Sequence, residues 1–349
     1  MNTFPHPTHS LADGPVAAEA YVRKSLSALD LDPGSPVIVA YLDAGIMNYV
    51  YRVEAAGRTF FLKQALPRVK EHHRLGPDLA GVSPARIGAE ARALQLLATE
   101  SPTEHRAAFP APLWHDEENN VLWTEEIAPG ARSLQQALQQ GECCPEIARH
   151  AGRLLGAVHG IRTGHVAPLW PSHEEDAANW LRFLRMRTTG ILERAGLPGD
   201  TIREVEALFA EARQAECVGM LSHLDAAPKN VLVSPDGTAA LLDFELGAAV
   251  SDPAYDPAFL IGHYLLMGEN RAEMRDAARK ASRAVVEGYA ETGPARDAGW
   301  HGRLARYAGL VLIYRLCGSS PAPYLNPARY ADIRTAGLAL FAERELPLG

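Results

Sequence analysis

Along the chain, apolar positions follow one rhythm before residue 130 and another after it. In the first part the apolar residues fall in short strand-like runs, and one of these, "NYVYRVEA", alternates with a period of two. "PVIVAYL" (36–42), "NYVYRVEA" (48–55) and "RTFFLKQAL" (58–66, after the turn signal at Gly57) predict three strands in an antiparallel meander. "APLWHDE" (111–117) and "VLWTEEI" (121–127) predict two more. Between the two groups, "PARIGAEARALQLLA" (84–98) carries the spacing of a helix. "PVAAEAYVRKSLSAL" (15–29) reads as an earlier helix, with Pro15 in the first turn, where its missing N–H has no partner to lose.

"APGARS" (128–133) breaks the pattern and reads as a linker. Helices are then expected over "SLQQALQQ", "PEIARHAGRLLGAVHGI", "DAANWLRFLRMRTTGILERAG" and "TIREVEALFAEARQA", and again from about 256 to the end. One strand pair interrupts them: "NVLVSP" and "TAALLDFEL", joined by the turn "PDG" (235–237). The fold class expected is α+β. Residues 1–127 form a small lobe with a five-stranded antiparallel sheet and one helix. Residues 128–349 form a larger, mostly helical lobe.

Composition narrows the function. A chain of 349 residues that is 47% hydrophobic can bury the core of two lobes. A net charge of −8 disfavours nucleic acid as a partner and suits neutral or cationic small molecules. The first residues lack the basic and apolar regions of a signal peptide, and no apolar run reaches the ~18 residues of a membrane span. The four cysteines include no C-x-x-C pair, which argues against zinc and fits a reducing compartment. A soluble cytoplasmic protein is expected, with no membrane partner and with a homodimer as an allowed assembly.

The candidate chemistry centres on "HLDAAPKNVLV" (223–233). Asp225 and Asn230 sit on a loop that runs into a strand. The hairpin that follows should bring Asn230 close to Asp243, with Glu245 two residues further on. These are hard oxygen donors of the kind that suit Mg²⁺. A carboxylate beside such a metal can take the proton of a hydroxyl, the role open to Asp225. His223 is expected to anchor the loop, and Asp256 in "DPAYDPAF" to cap a helix and brace it.

The pattern H-x-D-x-x-x-x-N, with a metal Asp one hairpin later, resembles the catalytic core of the protein-kinase-like fold. That core also has a Lys on the third strand and a Glu on the next helix. Lys63 in "FFLKQ" and Glu90 in "IGAEARAL" occupy those places. The chain has no G-x-G-x-x-G and no A-P-E. "LLGAVHGI" and "DPAYDPAFL" resemble instead the aminoglycoside phosphotransferase and choline kinase-like group of small-molecule kinases. "AGIMNYVYRV", "LKQALPRVK", "ARIGAEARAL" and "DFE" resemble the 5-methylthioribose kinases.

The resemblance implies a role for each residue. Asp225 is the catalytic base, and Asn230, Asp243 and Glu245 hold Mg²⁺. Lys63, paired with Glu90, holds the α- and β-phosphates of ATP or GTP. The loop 45–48, with Gly45 and Asn48, covers the phosphates, and Glu125 to Ile127 offer backbone groups to the purine. Lys229, Arg315 and Trp180 are candidates for phosphate or substrate contact.

Three departures fall where the acceptor would bind. They are Leu224 in place of the group's usual Gly, "DAAPKN" as the catalytic loop, and a single Arg315 where the methylthioribose kinases carry paired arginines. The expected reaction is Mg²⁺-dependent transfer of a γ-phosphate to a small-molecule hydroxyl. A sugar-bearing antibiotic, aminoglycoside- or nucleoside-like, is the first acceptor, in a resistance-type modification. A methylthioribose-like sugar of methionine salvage is the alternative. A non-catalytic pseudokinase that only binds nucleotide is the alternative of another class. Such modules usually lack the base, the lysine or the metal ligands, and all are present in this chain.

Overall fold

The five strand-like runs fold as strands, with ends within about two residues of those expected. In the computed structural model, β1 (Val37–Leu42), β2 (Tyr49–Ala55), β3 (Arg58–Gln64), β4 (Pro112–Asp116) and β5 (Val121–Glu125) form one antiparallel sheet in the order β1-β2-β3-β5-β4. The structure describes residues 7–43, 45, 47–70, 83–162, 169–171, 199–214, 218–250, 252–317 and 322–348. The helix expected over 176–196, and Trp180 with it, lies outside the described residues. The β2–β3 turn places Ala56 (φ 50°) and Gly57 (φ 73°) in the left-handed region, as a tight hairpin requires at both central positions.

Alternation along β3 sends Phe60, Leu62 and Gln64 to a buried face and Thr59, Phe61 and Lys63 to the other. Helix α1 (Pro15–Ser25) and the short turn after it cover the buried face. Tyr21, Val22 and Leu26 pack there with Tyr51, Val53, Phe60, Leu62 and Trp123. Each such side chain contributes about 1.5–3 kcal/mol by leaving water. Gln64 is fully buried beneath them and hydrogen-bonded at both ends. Its Oε1 accepts from Leu11 N (2.6 Å), and its Nε2 donates to the carbonyls of His9 (2.8 Å) and Asn119 (2.9 Å). The strand that presents Lys63 is thereby pinned from behind.

Helix α2 (Arg86–Glu100) buries Ile87, Glu90, Ala93, Leu94 and Leu97 along one stripe, and the short α3 (Thr103–Arg106) follows. The remaining described helices are α4 (Leu134–Gln139), α5 (Pro145–Gly160), α6 (Gly199–Gln214), α7 (Tyr255–Asn270), α8 (Arg275–Thr292), α9 (Trp300–Cys317) and α10 (Tyr330–Glu343). A capping box starts α4: Ser133 Oγ accepts from Gln136 N at 3.2 Å while Gln136 Oε1 accepts from Ser133 N at 2.9 Å. Helices α5 and α8 meet backbone to backbone. A Cβ on Gly152 would run into the Val285 carbonyl, and one on Gly288 into the Arg149 carbonyl.

The expected linker contains β6 (Arg132–Ser133). It pairs with β8 (Val231–Val233), which pairs with β9 (Ala239–Leu241); β7 (Val218–Ser222) and β10 (Ala248–Val250) form a further pair. Strands β6, β7 and β10 were not among the expected elements. Two to five residues, set among apolar neighbours, show no alternation. A sheet-rich N-terminal region and a helical C-terminal part result, as expected.

Candidate active site

From β7 the chain enters the loop 223–230, and that loop is held from below. His223 N and Leu224 N donate to the two carboxylate oxygens of Asp256, at 2.7 and 2.8 Å. Asp256 is fully buried and also bonds His159 Nε2 of α5 at 2.9 Å. With Nε2 protonated toward the carboxylate, His159 Nδ1 accepts from the Tyr289 hydroxyl of α8 at 2.8 Å. Burial alone would raise the Asp256 carboxyl. The hydrogen bond from His159, with the backbone N–H of His223, holds it below its ordinary value. Asp256 braces the loop as expected, but it is not a helix cap. It lies inside the first turn of α7, where Ala254 occupies the cap position. His223 is the expected anchor: its Nε2 meets the Leu242 carbonyl at 2.9 Å and its ring lies 4.4 Å from Phe244.

Between these tethers Leu224 adopts φ 62° and is fully buried. Left-handed backbone costs a residue with a Cβ roughly 1–2 kcal/mol, which is why glycine suits this position. Here two N–H bonds to one carboxylate impose the conformation on a leucine.

Above the loop, Asn230 Nδ2 donates to the Asp225 carbonyl (2.9 Å) and to Asp225 Oδ2 (3.0 Å), and Lys229 Nζ lies 3.1 Å from the same oxygen. The β8–β9 hairpin pairs Val231 with Leu241, and Leu242 N donates to the Asn230 carbonyl at 2.9 Å. Asn230 therefore sits beside the start of 243–245, as hairpin geometry predicts. The second strand is shorter than expected. It ends at Leu241, and Asp243 turns the chain at φ 69°.

Lys63 reaches this point from the sheet. Its Nζ lies 2.8 Å from Glu90 Oε1, the expected pair, and 2.5 Å from Asp243 Oδ1, a partner not expected. Burial works to lower the Lys63 ammonium, but Asp243, Glu90 and Glu245 hold it above its ordinary value. Burial works to raise Asp243, and Lys63 and Lys229 hold it low. Glu90 is raised by burial against the pull of Lys63.

Glu245 is 5% exposed. Asn48 Nδ2 donates to its Oε2, and Arg86 Nε lies 3.8 Å from the same oxygen. Burial, and then Asp243, push the Glu245 carboxyl up to about 8, against Lys63 and Arg86. The Asn48 side chain thus turns inward to the 243–245 segment. Arg86 was not anticipated. It is fully buried one turn before Glu90 on the same face of α2, and that i, i+4 relation was its signal in the sequence.

Among the described residues, the four carboxylates of Asp225, Asp243, Glu245 and Glu90 lie beside the three cations of Lys63, Lys229 and Arg86. Among the described residues no three His, Cys, Asp or Glu side chains converge on one point. The candidate donors are two carboxylates and the Asn230 carboxamide oxygen. They are all oxygen and sit in an acidic surrounding, which fits Mg²⁺.

The other expected residues are scattered. Gly45 has φ 75°, a left-handed conformation in the loop after β1. Glu125 uses its N–H on the Ala111 carbonyl (3.0 Å) and its side chain on Arg58 (2.5 Å), and Glu126 N donates to Thr59 O at 3.4 Å; Ile127 follows, half-buried. Arg315 stands near the end of α9, its guanidinium 6.0 Å over the Tyr314 ring. Phe61, half-buried, shares the face of β3 that carries Lys63.

Comparison with known proteins adds four findings. The sequence profile of the phosphotransferase enzyme family matches residues 39–299. A segment of 122 residues, 35% of this chain, is 30% identical to the methylthioribose kinase of Bacillus mycoides and spans 29% of that protein's length. The fold aligns with a choline/ethanolamine kinase family protein from Mesorhizobium loti over 93% of this chain and 97% of the other, with a TM-score of 0.54 at 20% identity. It aligns with an ethanolamine kinase of Plasmodium vivax over 96% and 90%, with a TM-score of 0.55 at 12% identity. Likeness at such identities establishes the kinase-like fold.

Proposed function

The chain belongs to the phosphotransferase enzyme family, and from that premise we propose that it is a small-molecule kinase with a hydroxyl acceptor whose residues share the reaction as follows. ATP or GTP is the phosphate donor, bound chiefly by residues 1–127. Lys63 holds its α- and β-phosphates and gives up Asp243 when they arrive, while Glu90 keeps the ammonium in place. The loop 45–48, with Gly45 and Asn48, covers the phosphates. Phe61 offers a face to the purine, and Glu125 to Ile127 line its edge, with Ile127 and the carbonyls as the available backbone groups.

The loop, metal site and acceptor site belong to residues 128–349. Asn230, Asp243 and Glu245 would hold Mg²⁺, which when bound neutralises phosphate charge. Asp225 takes the proton of the acceptor hydroxyl. Asn230 and Lys229 orient its carboxylate, and Lys229 can turn to the transferred phosphoryl group. Arg315 and Trp180 are the acceptor-side candidates. The observation that carries this reading is Lys63 lying 2.8 Å from Glu90 and 2.5 Å from Asp243 at once. It joins the sheet lysine to the segment that follows Asp225 and Asn230.

A sugar-bearing antibiotic is the proposed acceptor. The altered loop around Asp225 and the net charge of −8 favour a neutral or cationic compound. The 30% identity over 122 residues supports methylthioribose as the second reading. Steady-state kinetics with ATP and GTP on aminoglycosides, nucleosides and methylthioribose tests both. A kcat/KM above roughly 10⁴ M⁻¹s⁻¹ on methylthioribose would reverse the order of the two. Nucleotide binding without turnover on any acceptor would identify a pseudokinase.

A further inference from the structure

We propose that Arg86 is a positioning residue that locks the phosphate-covering loop to the 243–245 segment, so that nucleotide affinity depends on a buried guanidinium that never touches the nucleotide. The proposal rests on the phosphotransferase reading above and adds a residue outside its expected set.

One guanidinium gathers four segments. Its Nε donates to Asn48 Oδ1 (3.0 Å), and its Nη2 to the Met47 carbonyl (3.2 Å), both in the loop after β1. Its Nη1 donates to the Ser83 carbonyl at the entry to α2 (3.1 Å). Both terminal nitrogens share the Leu66 carbonyl just beyond β3, at 3.5 and 3.4 Å. The fourth segment is reached through Glu245, at 3.8 Å. An uncompensated buried cation is costly, and burial does lower the Arg86 guanidinium. The array of acceptors makes the site tenable, and only a planar fork with five N–H groups can serve it.

Asn48 turns the array into a relay. Its Oδ1 accepts from Arg86 while its Nδ2 donates to Glu245 Oε2. Reversing the amide would set donor against donor at one end and acceptor against acceptor at the other. The loop thus has one orientation relative to residue 245, two positions after Asp243. Loop and acidic segment are held as one body, and that body faces the nucleotide phosphates. A residue of purely structural importance would affect both substrates alike. Arg86 should affect the nucleotide alone.

The test measures ADP affinity by calorimetry, with and without Mg²⁺, together with melting curves and steady-state kinetics. The proteins are the full chain, Arg86→Lys, Asn48→Ala and the double variant. Each single change should weaken ADP by about tenfold, equivalent to about 1.4 kcal/mol, and raise the nucleotide KM while the acceptor KM stays put. The double variant should stay within about threefold of the weaker single, because both changes break one relay. Folded Asn48→Ala with ADP affinity within about twofold of the parent overturns the proposal, as does a fully additive double variant. If Arg86→Lys does not fold, Asn48→Ala alone decides. Lys63→Met separates the premise from the proposal. Undiminished turnover in Lys63→Met removes the phosphotransfer reading; lost turnover there beside normal ADP binding in Asn48→Ala removes only the role of Arg86.

Discussion

Two buried carboxylates flank the loop of Asp225, and the protein treats them in opposite ways. Asp256, beneath it, receives two backbone N–H groups and a histidine, and its carboxyl is held below the ordinary value. Glu245, above it, has one amide, a guanidinium at 3.8 Å and a neighbouring carboxylate, and is pushed up to about 8. Burial is nearly equal at the two, so burial is not what separates them. The difference lies in the donors supplied. A buried carboxylate with every oxygen satisfied is a fixed strut. One left short of positive charge stands ready for a charged ligand, and perturbed groups of that kind mark functional clefts.

The strongest way to break this contrast is on the cleft side. Lys63→Met removes the cation shared by Glu90 and Asp243, and should lower turnover on the best acceptor by on the order of 10³-fold while the far-UV spectrum stays that of a folded protein. Turnover within tenfold of the parent would defeat the assignment.

The next pair tests the contrast directly. Asp256→Asn turns an NH₂ group toward existing donors and orphans at least one of them. It should destabilise the fold by about 3 kcal/mol, read from urea melts. Glu245→Gln should cost less than about 1 kcal/mol of stability at neutral pH, because a carboxyl pushed up to about 8 is mostly protonated there and Gln replaces it with a neutral group of the same shape. Its effect should appear in Mg²⁺-dependent nucleotide affinity. Equal destabilisation by the two changes would erase the proposed distinction.

Acid should remove the strut selectively. The carboxyl of Asp256 is depressed in the folded state, so it contributes stability above the unfolded value of 3.8 and loses it as pH falls through the lower folded value. The stability gap between parent and Asp256→Asn should therefore be flat near neutrality and narrow below about pH 4. A gap that widens in acid would contradict the sign of the shift.

The smallest effect concerns the residue that the strut constrains. At most buried sites alanine is the better truncation of leucine. At Leu224, with φ 62°, Leu224→Gly should exceed Leu224→Ala in stability by about 1 kcal/mol, although both fall below the parent through lost burial. The reverse order would mean that the backbone relaxes out of the left-handed region.

The sequence alone was sufficient for features that depend on neighbours along the chain. Short apolar runs set off by turns marked the five strands of the main sheet, and along β2 a repeat of two matched one buried face. The hairpin after Asn230 placed it beside Asp243, because a tight turn leaves little choice of register. Lys63 and Glu90 were legible from order and element type. Tertiary packing decided the rest. It made Asp243 a second partner of Lys63 across 180 positions, joined His159 to Asp256 across 97, and turned Arg86 to Asn48 across 38. No periodicity encodes such pairings. A polar side chain bound for the interior looks like a surface residue in the sequence, and it acquires its partner only when distant segments exclude water around it.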